Sequence, residues 1–286
     1  MNFTPAVGAG QDALRMGRSA DGSRAQLFAI VGCVAAVNGF SGKIATAVYS
    51  QPIASAILDL GGVSAIVWFA IGTLITIASS STNTSALSSA DRAVLGLTLL
   101  LSFVPLNFAA AVGLLFCGAY LAVVSIRESA ERRIALIMIA LTGPLIWGRF
   151  LLALIGPFLL RADAQLAGLL AGASVQGNVV SLPGEHGNLY VALGCSSVHN
   201  MSLAVLLFVA VTQVLALRNT PLLLLTCAGA MLAMAAVNVL RLATLARIPE
   251  YFDLIHTGWG GSLFGAVSFM AAGAVIVLGI RAELAR

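Results

Sequence analysis

The chain has 286 residues, of which 59% are hydrophobic and only 9% charged, and its mean hydropathy is +1.00. Soluble domains carry about a quarter charged residues, so this composition excludes an ordinary water-facing surface and makes lipid the expected solvent. The net charge of +4 is spread along the chain rather than gathered in one patch, which argues against nucleic acid as a partner.

The first 24 residues are polar and glycine-rich, with Arg15, Arg18 and Arg24. No apolar core lies near the start, so a cleaved signal peptide is not expected. Residues 1–24 read as a cytoplasmic tail, and 25–286 as one membrane domain.

A spanning helix needs ~20 mainly apolar residues. Such runs occur near 25–47, 62–80, 92–106, 108–126, 134–160, 196–217, 221–247 and 262–280. Pro105 and Asn107 split the third from the fourth. The expected fold is therefore an all-α integral membrane protein, a polytopic bundle of about eight transmembrane helices. With the N-terminus inside, the inner connections receive Arg15, Arg18, Arg24, Arg92, Arg127, Arg132, Arg133, Arg218, Arg281 and Arg286, while the outer side receives Lys43, Arg161 and Arg247. This asymmetry follows the positive-inside rule and puts both termini in the cytoplasm. The longest outer connection, 161–194, contains two β-prone runs around Pro183-Gly184, which predicts a short outer hairpin.

Four cysteines lie at 33, 117, 195 and 227 without CxxC spacing, so neither a metal nor redox pairing is expected. Cys33, Cys117 and Cys227 fall inside apolar runs, where a cysteine packs as a small hydrophobe. Cys195 instead opens the sixth span. Arg241 lies in the outer part of the seventh, and His256 just before the eighth. Topology alone puts all three near one membrane surface. A thiolate is a nucleophile, and a nearby cation favours it. An imidazole can take the thiol proton and return it to a leaving amine. An arginine fork can hold an oxyanion or a carboxylate. The bland alternative is a core cysteine, an arginine snorkelling to the interface and a loop histidine. His199 is a rival base, because four residues after Cys195 it shares a helix face with it; spacing does not choose between His199 and His256. His186 reads as a solvated loop residue, and Arg149 as structural glue near Trp147.

The stretch Val-Ala-Leu-Gly-Cys-Ser-Ser-Val at 191–198 resembles the nucleophile motif of the exosortase/archaeosortase family. Asn-Val-Leu-Arg at 238–241 resembles that family's Asn-x-x-Arg motif, and His-Thr-Gly-Trp-Gly at 256–260 its third motif. The resemblance covers roughly 175–265. The family commonly has Cys-Ser-Gly where this chain has Cys195-Ser196-Ser197. The resemblance implies Cys195 as nucleophile, Arg241 as stabiliser of the anionic transition state and His256 as general acid and base. Asn238, on the same helix face as Arg241, would orient it, and His199 would be a polar neighbour of the site. The implied activity is that of a cysteine peptidase or transpeptidase needing no cofactor. It would cleave exported proteins that end in a short motif (often Pro-Glu-Pro), a membrane helix and a basic tail. The implied location is a cell inner membrane, with the site facing outward.

Two rival readings fit the same membrane fold: a transporter binding a solute through Arg241, Arg149 and Asn107, or a non-catalytic scaffold for envelope polysaccharide assembly. The paired halves of many transport folds are not visible here. The Gly261-x-x-x-Gly265 pair predicts close helix packing under any of these readings.

Overall fold

The computed structural model describes residues 23–50, 52–81, 86–184, 187–218, 220–256 and 258–286. Most of the expected cytoplasmic tail and His186 lie outside these, and so does the side chain of Arg149. The described chain forms helices α1 (Arg24–Gly39), α2 (Ser41–Ser50), α3 (Ile53–Leu58), α4 (Ala65–Ser79), α5 (Ser89–Phe103) and α6 (Asn107–Val124). It continues with α7 (Ala130–Leu141), α8 (Gly148–Ala171), α9 (Ser197–Val214), α10 (Pro221–Arg247), α11 (Phe252–His256) and α12 (Trp259–Leu284).

Helix starts follow capping chemistry. Ser23 and Gln26 form a reciprocal capping box on α1, and Ser88 and Asp91 form another on α5. Ser196 caps α9, and Thr220 with Pro221 opens α10. Pro105 separates α5 from α6 as expected. Pro144, lacking an N–H, breaks the α pattern after α7, and Gly143–Trp147 is a π-helical turn in which Ile146 and Trp147 both donate to the Thr142 carbonyl.

Among the described residues, five helices are long and apolar enough to cross a membrane: α6, α9, α10, α12 and the part of α8 from Ala153 to Ala171. The pair α1–α2, bent by 50° next to Phe40, makes a sixth if it counts as one span. Helix α4 is apolar but has 15 residues, and α5 has 15 and carries Asp91 and Arg92. Both fall short of the ~20 residues of a straight crossing. Long helices leave large apolar side chains uncovered, among them Leu154, Leu169, Leu232 and Leu278, a surface suited to lipid rather than water. The protein is an all-α membrane bundle.

Side-chain contacts sort the helix ends into two sets. Arg24 at the start of α1 pairs with Asp91 at the start of α5 at 2.7 Å, and Tyr120 near the end of α6 donates to the same carboxylate. Arg133 at the start of α7 donates to the Gln213 and Val214 carbonyls that end α9. At the other end, the start of α4, the start of α9, the C-terminal half of α10 and the start of α12 surround one cavity.

Two expectations change here. Helix α8 does not stop near 160 but runs to Ala171, closed by Gly172 in the left-handed region at φ 69°. Arg161 and Asp163, read as loop, are thus helical. The expected hairpin exists as β2 (Val179–Ser181) and β3 (Asn188–Tyr190), and β1 (Val175–Gln176) extends it to a three-stranded antiparallel sheet. Val180 pairs with Leu189, and both are buried. With Val191 they form a small second core against Leu160 and Ala164 of α8 and Leu242 and Ala246 of α10. Cys195 packs against this core. Period-2 alternation in the sheet thus clamps the segment that leads into the cysteine.

Candidate active site

Cys195 is not the first residue of a helix. It ends a 3-10 turn, Leu193–Cys195, whose last N–H donates to the Ala192 carbonyl at 2.9 Å. Ser196 follows in extended conformation and its hydroxyl accepts from the Val198 N–H, so α9 begins at Ser197. The helical i, i+4 relation between Cys195 and His199 therefore does not hold. His199 sits one turn into α9 and lines the cavity instead.

His256 is the imidazole that meets the thiol. Its Nε2 lies 3.6 Å from Cys195 Sγ. The ring stacks on Phe252, one helical turn earlier in α11, with centroids 5.0 Å apart and planes 10° from parallel. That contact holds the ring plane. For the thiol to donate across the gap, Nε2 must carry no proton. The Cys195 thiol is free and half-buried.

The cysteine turn is tied down by a buried polar network. Asn238 is 3% exposed. Its Nδ2 donates to the Cys195 carbonyl at 2.8 Å and to Ser197 Oγ at 3.2 Å, and its Oδ1 accepts from Asn200 Nδ2 at 3.1 Å. Asp163 of α8, buried, accepts from the Ser197 N–H at 2.9 Å and from its hydroxyl at 2.7 Å. These bonds satisfy the first donors of α9 and set a carboxylate at its positive end. The expectation that Asn238 orients Arg241 is corrected: its amide is committed to the cysteine turn and to Asn200. The second serine of Cys-Ser-Ser also gains a reason, since a glycine at 197 would keep only the backbone bond to Asp163.

Arg241 lies one turn beyond Asn238 on α10 and faces a polar cavity of about 610 Å³, shared with His256, His199, Asp59, Ser64 and Ser262. Its Nε is buried and has no hydrogen-bond acceptor among the described residues. Buried donors are almost always paired, so this one is an exception, while the residue as a whole lines the cavity. Gly261 and Gly265 line the same cavity, and a Cβ at Gly265 would meet nothing within 4 Å. The expected close packing thus holds at Gly261, where a Cβ would stand 3.2 Å from the His256 carbonyl oxygen, and not at Gly265. The close α10–α12 approach falls instead at Gly279, whose missing Cβ leaves room for Thr226.

The structure thus brings Cys195 and His256 into contact, places Arg241 and His199 with His256 around one cavity, and sets Asn238 behind the cysteine. Asp163, Ser197 and Asn200 were missed in the sequence. Their only signal was a lone carboxylate and polar residues inside apolar runs. Among the described residues no His/Cys/Asp/Glu group is arranged to hold a metal. No protein-family model, curated protein or solved structure matches the chain.

Proposed function

We propose that the chain is a membrane cysteine peptidase or transpeptidase that cleaves C-terminal sorting signals of exported proteins through a thioester. The 3.6 Å contact between Cys195 Sγ and His256 Nε2 carries this reading, and the resemblance of 191–198, 238–241 and 256–260 to exosortase motifs names the substrate class. His256 Nε2 takes the thiol proton as Cys195 Sγ attacks the scissile carbonyl carbon. The carbonyl oxygen becomes an oxyanion, which the guanidinium of Arg241, lining one cavity with His256, would stabilise. Collapse breaks the C–N bond, His256 returns the proton to the leaving amine, and the thioester stays on Cys195. Water or an acceptor amine, deprotonated by His256, then releases the product and the thiol.

The proposed topology has eight crossings, with α4 and α5 as short spans and both termini in the cytoplasm of an inner membrane. Its support is the sorting of helix ends described above. Arg24, Arg132, Arg133 and Arg218 belong to one end, and Cys195, Arg241 and His256 to the other. The substrate's membrane helix would lie beside the bundle with its cleavage motif at the outer end and its basic tail inside.

The test is co-expression of wild type, Cys195→Ala and His256→Ala with an exported reporter bearing a motif, membrane helix and basic tail from the same genome. Processing by wild type and by neither variant is expected. Full processing by Cys195→Ala would remove the thiol from the mechanism. A transporter or scaffold would tolerate both substitutions.

A further inference from the structure

A second polar cavity, of about 630 Å³, lies at the bundle end opposite Cys195. The α6–α7 and α9–α10 connections face each other across it. Its lining includes Arg127, Arg132, Arg133 and Arg218 against the single carboxylate of Glu128, a net charge of +3.

Helix capping accounts for only part of this charge. Arg132 donates to the Ala122 carbonyl near the end of α6, and Arg133 to the Gln213 and Val214 carbonyls that end α9. Arg218 meets Glu128 at 2.9 Å, but their side chains are 79% and 65% exposed, so water screens the pair. Arg127 is exposed and has no hydrogen-bond or ion-pair partner among the described residues. Glu128 and Ala216, one in each connection, hold left-handed backbone at φ 71° and 52° and both line the cavity.

Exposed apolar residues flank the lining residues in sequence: Val123 and Ile126, shortly before Arg127, are 84% and 82% exposed, and Leu215, next to Ala216, is 52% exposed. A ligand matching both features has an anionic head and an apolar body. Basic pockets between transmembrane helices take phosphate head groups on these grounds. We infer that this cavity binds the phosphate of an anionic phospholipid of the surrounding bilayer, with its acyl chains against Val123, Ile126 and Leu215. The site shares no residue with the cavity that His256 and Arg241 line and does not depend on the chemistry of Cys195.

The test uses the purified full chain in detergent, titrated separately with phosphatidylglycerol, phosphatidylcholine and inorganic phosphate. The readouts are the thermal unfolding midpoint and lipid retained in native mass spectra. Phosphatidylglycerol is expected to raise the midpoint saturably and to be retained, while the other two leave it unchanged. The double variant Arg127→Gln/Arg218→Gln caps no helix and should bind phosphatidylglycerol roughly 30-fold more weakly, at about 1 kcal/mol per arginine. Arg127→Gln alone, which breaks no contact, should weaken it roughly 5-fold and serves if the double variant is unstable. Equal binding by wild type and Arg127→Gln, or no preference over phosphatidylcholine, overturns the inference. A response to inorganic phosphate matching that to phosphatidylglycerol overturns the lipid assignment in favour of a soluble phosphate site.

Discussion

Replacing Asp163 by alanine removes the carboxylate that holds the first residue of α9. Asp163 is 6% exposed, so water cannot readily replace it. Two hydrogen bonds are lost, from the Ser197 N–H and hydroxyl, and bonds to charged groups contribute about 1.5–3 kcal/mol each. The Ser197 N–H is left without an acceptor at a helix end. Ser197 Oγ keeps the bond it already accepts from Asn238 Nδ2, but its own O–H loses its acceptor. The net cost is about 3–5 kcal/mol. At roughly 2–4 °C per kcal/mol, the unfolding midpoint should fall by roughly 6–20 °C. Asp163→Asn keeps an acceptor oxygen and should lose about half as much. Because Ser197 follows the cysteine turn so closely, the loosened turn should also change the rate at which maleimide labels Cys195, read by peptide mass against the other three cysteines. Arg161→Ala, on the same helix, serves as control. An Asp163→Ala variant with unchanged midpoint and unchanged Cys195 labelling would refute the argument that this carboxylate positions the turn.

Arg241→Lys keeps the charge but loses the planar fork and Nε, so turnover should drop roughly 100-fold; unchanged turnover in the reporter assay would make Arg241 a snorkelling residue only. Gly258→Ala would put a Cβ 2.7 Å from the Leu254 carbonyl oxygen and 3.0 Å from its Cα. Both contacts are backbone of the short helix that carries His256, so the histidine must shift, and processing should fall roughly 10- to 100-fold with little loss of expression.

Helix boundaries were legible where one residue's local chemistry decides them. Pro105 marks a break, and Pro183-Gly184 marks the hairpin. The seventh span was read at 221–247, as α10 is. The fifth was misplaced because Arg161 and Asp163 look like interface residues. Asp163 is helical and buried because its partner, the start of α9, comes 34 residues later, and no local pattern encodes that. The contact of Cys195 with His256, and the place of Arg241 beside His256 on one cavity, were legible from topology and motif. The choice of His256 over His199 was not legible from spacing, since the relevant fact is that Cys195 lies outside α9. Asn238 was recognised as a site residue, but its partner was misassigned: same-helix proximity suggested Arg241, while the cross-helix bond to the Cys195 carbonyl wins. The glycine pair at 261 and 265 divides: Gly261 lies close against the α11 backbone, while Gly265 lines a cavity without close packing.

The most direct measurement is intact and peptide mass of the purified protein after a short incubation with the reporter's C-terminal segment, quenched in acid. The account expects a covalent acyl adduct on the Cys195 peptide, equal in mass to the reporter fragment upstream of the cut, released by hydroxylamine and absent from Cys195→Ala. Cleaved reporter with no adduct on Cys195 in any time sample, together with cleavage by Cys195→Ala, would contradict the thioester chemistry assigned to this cysteine.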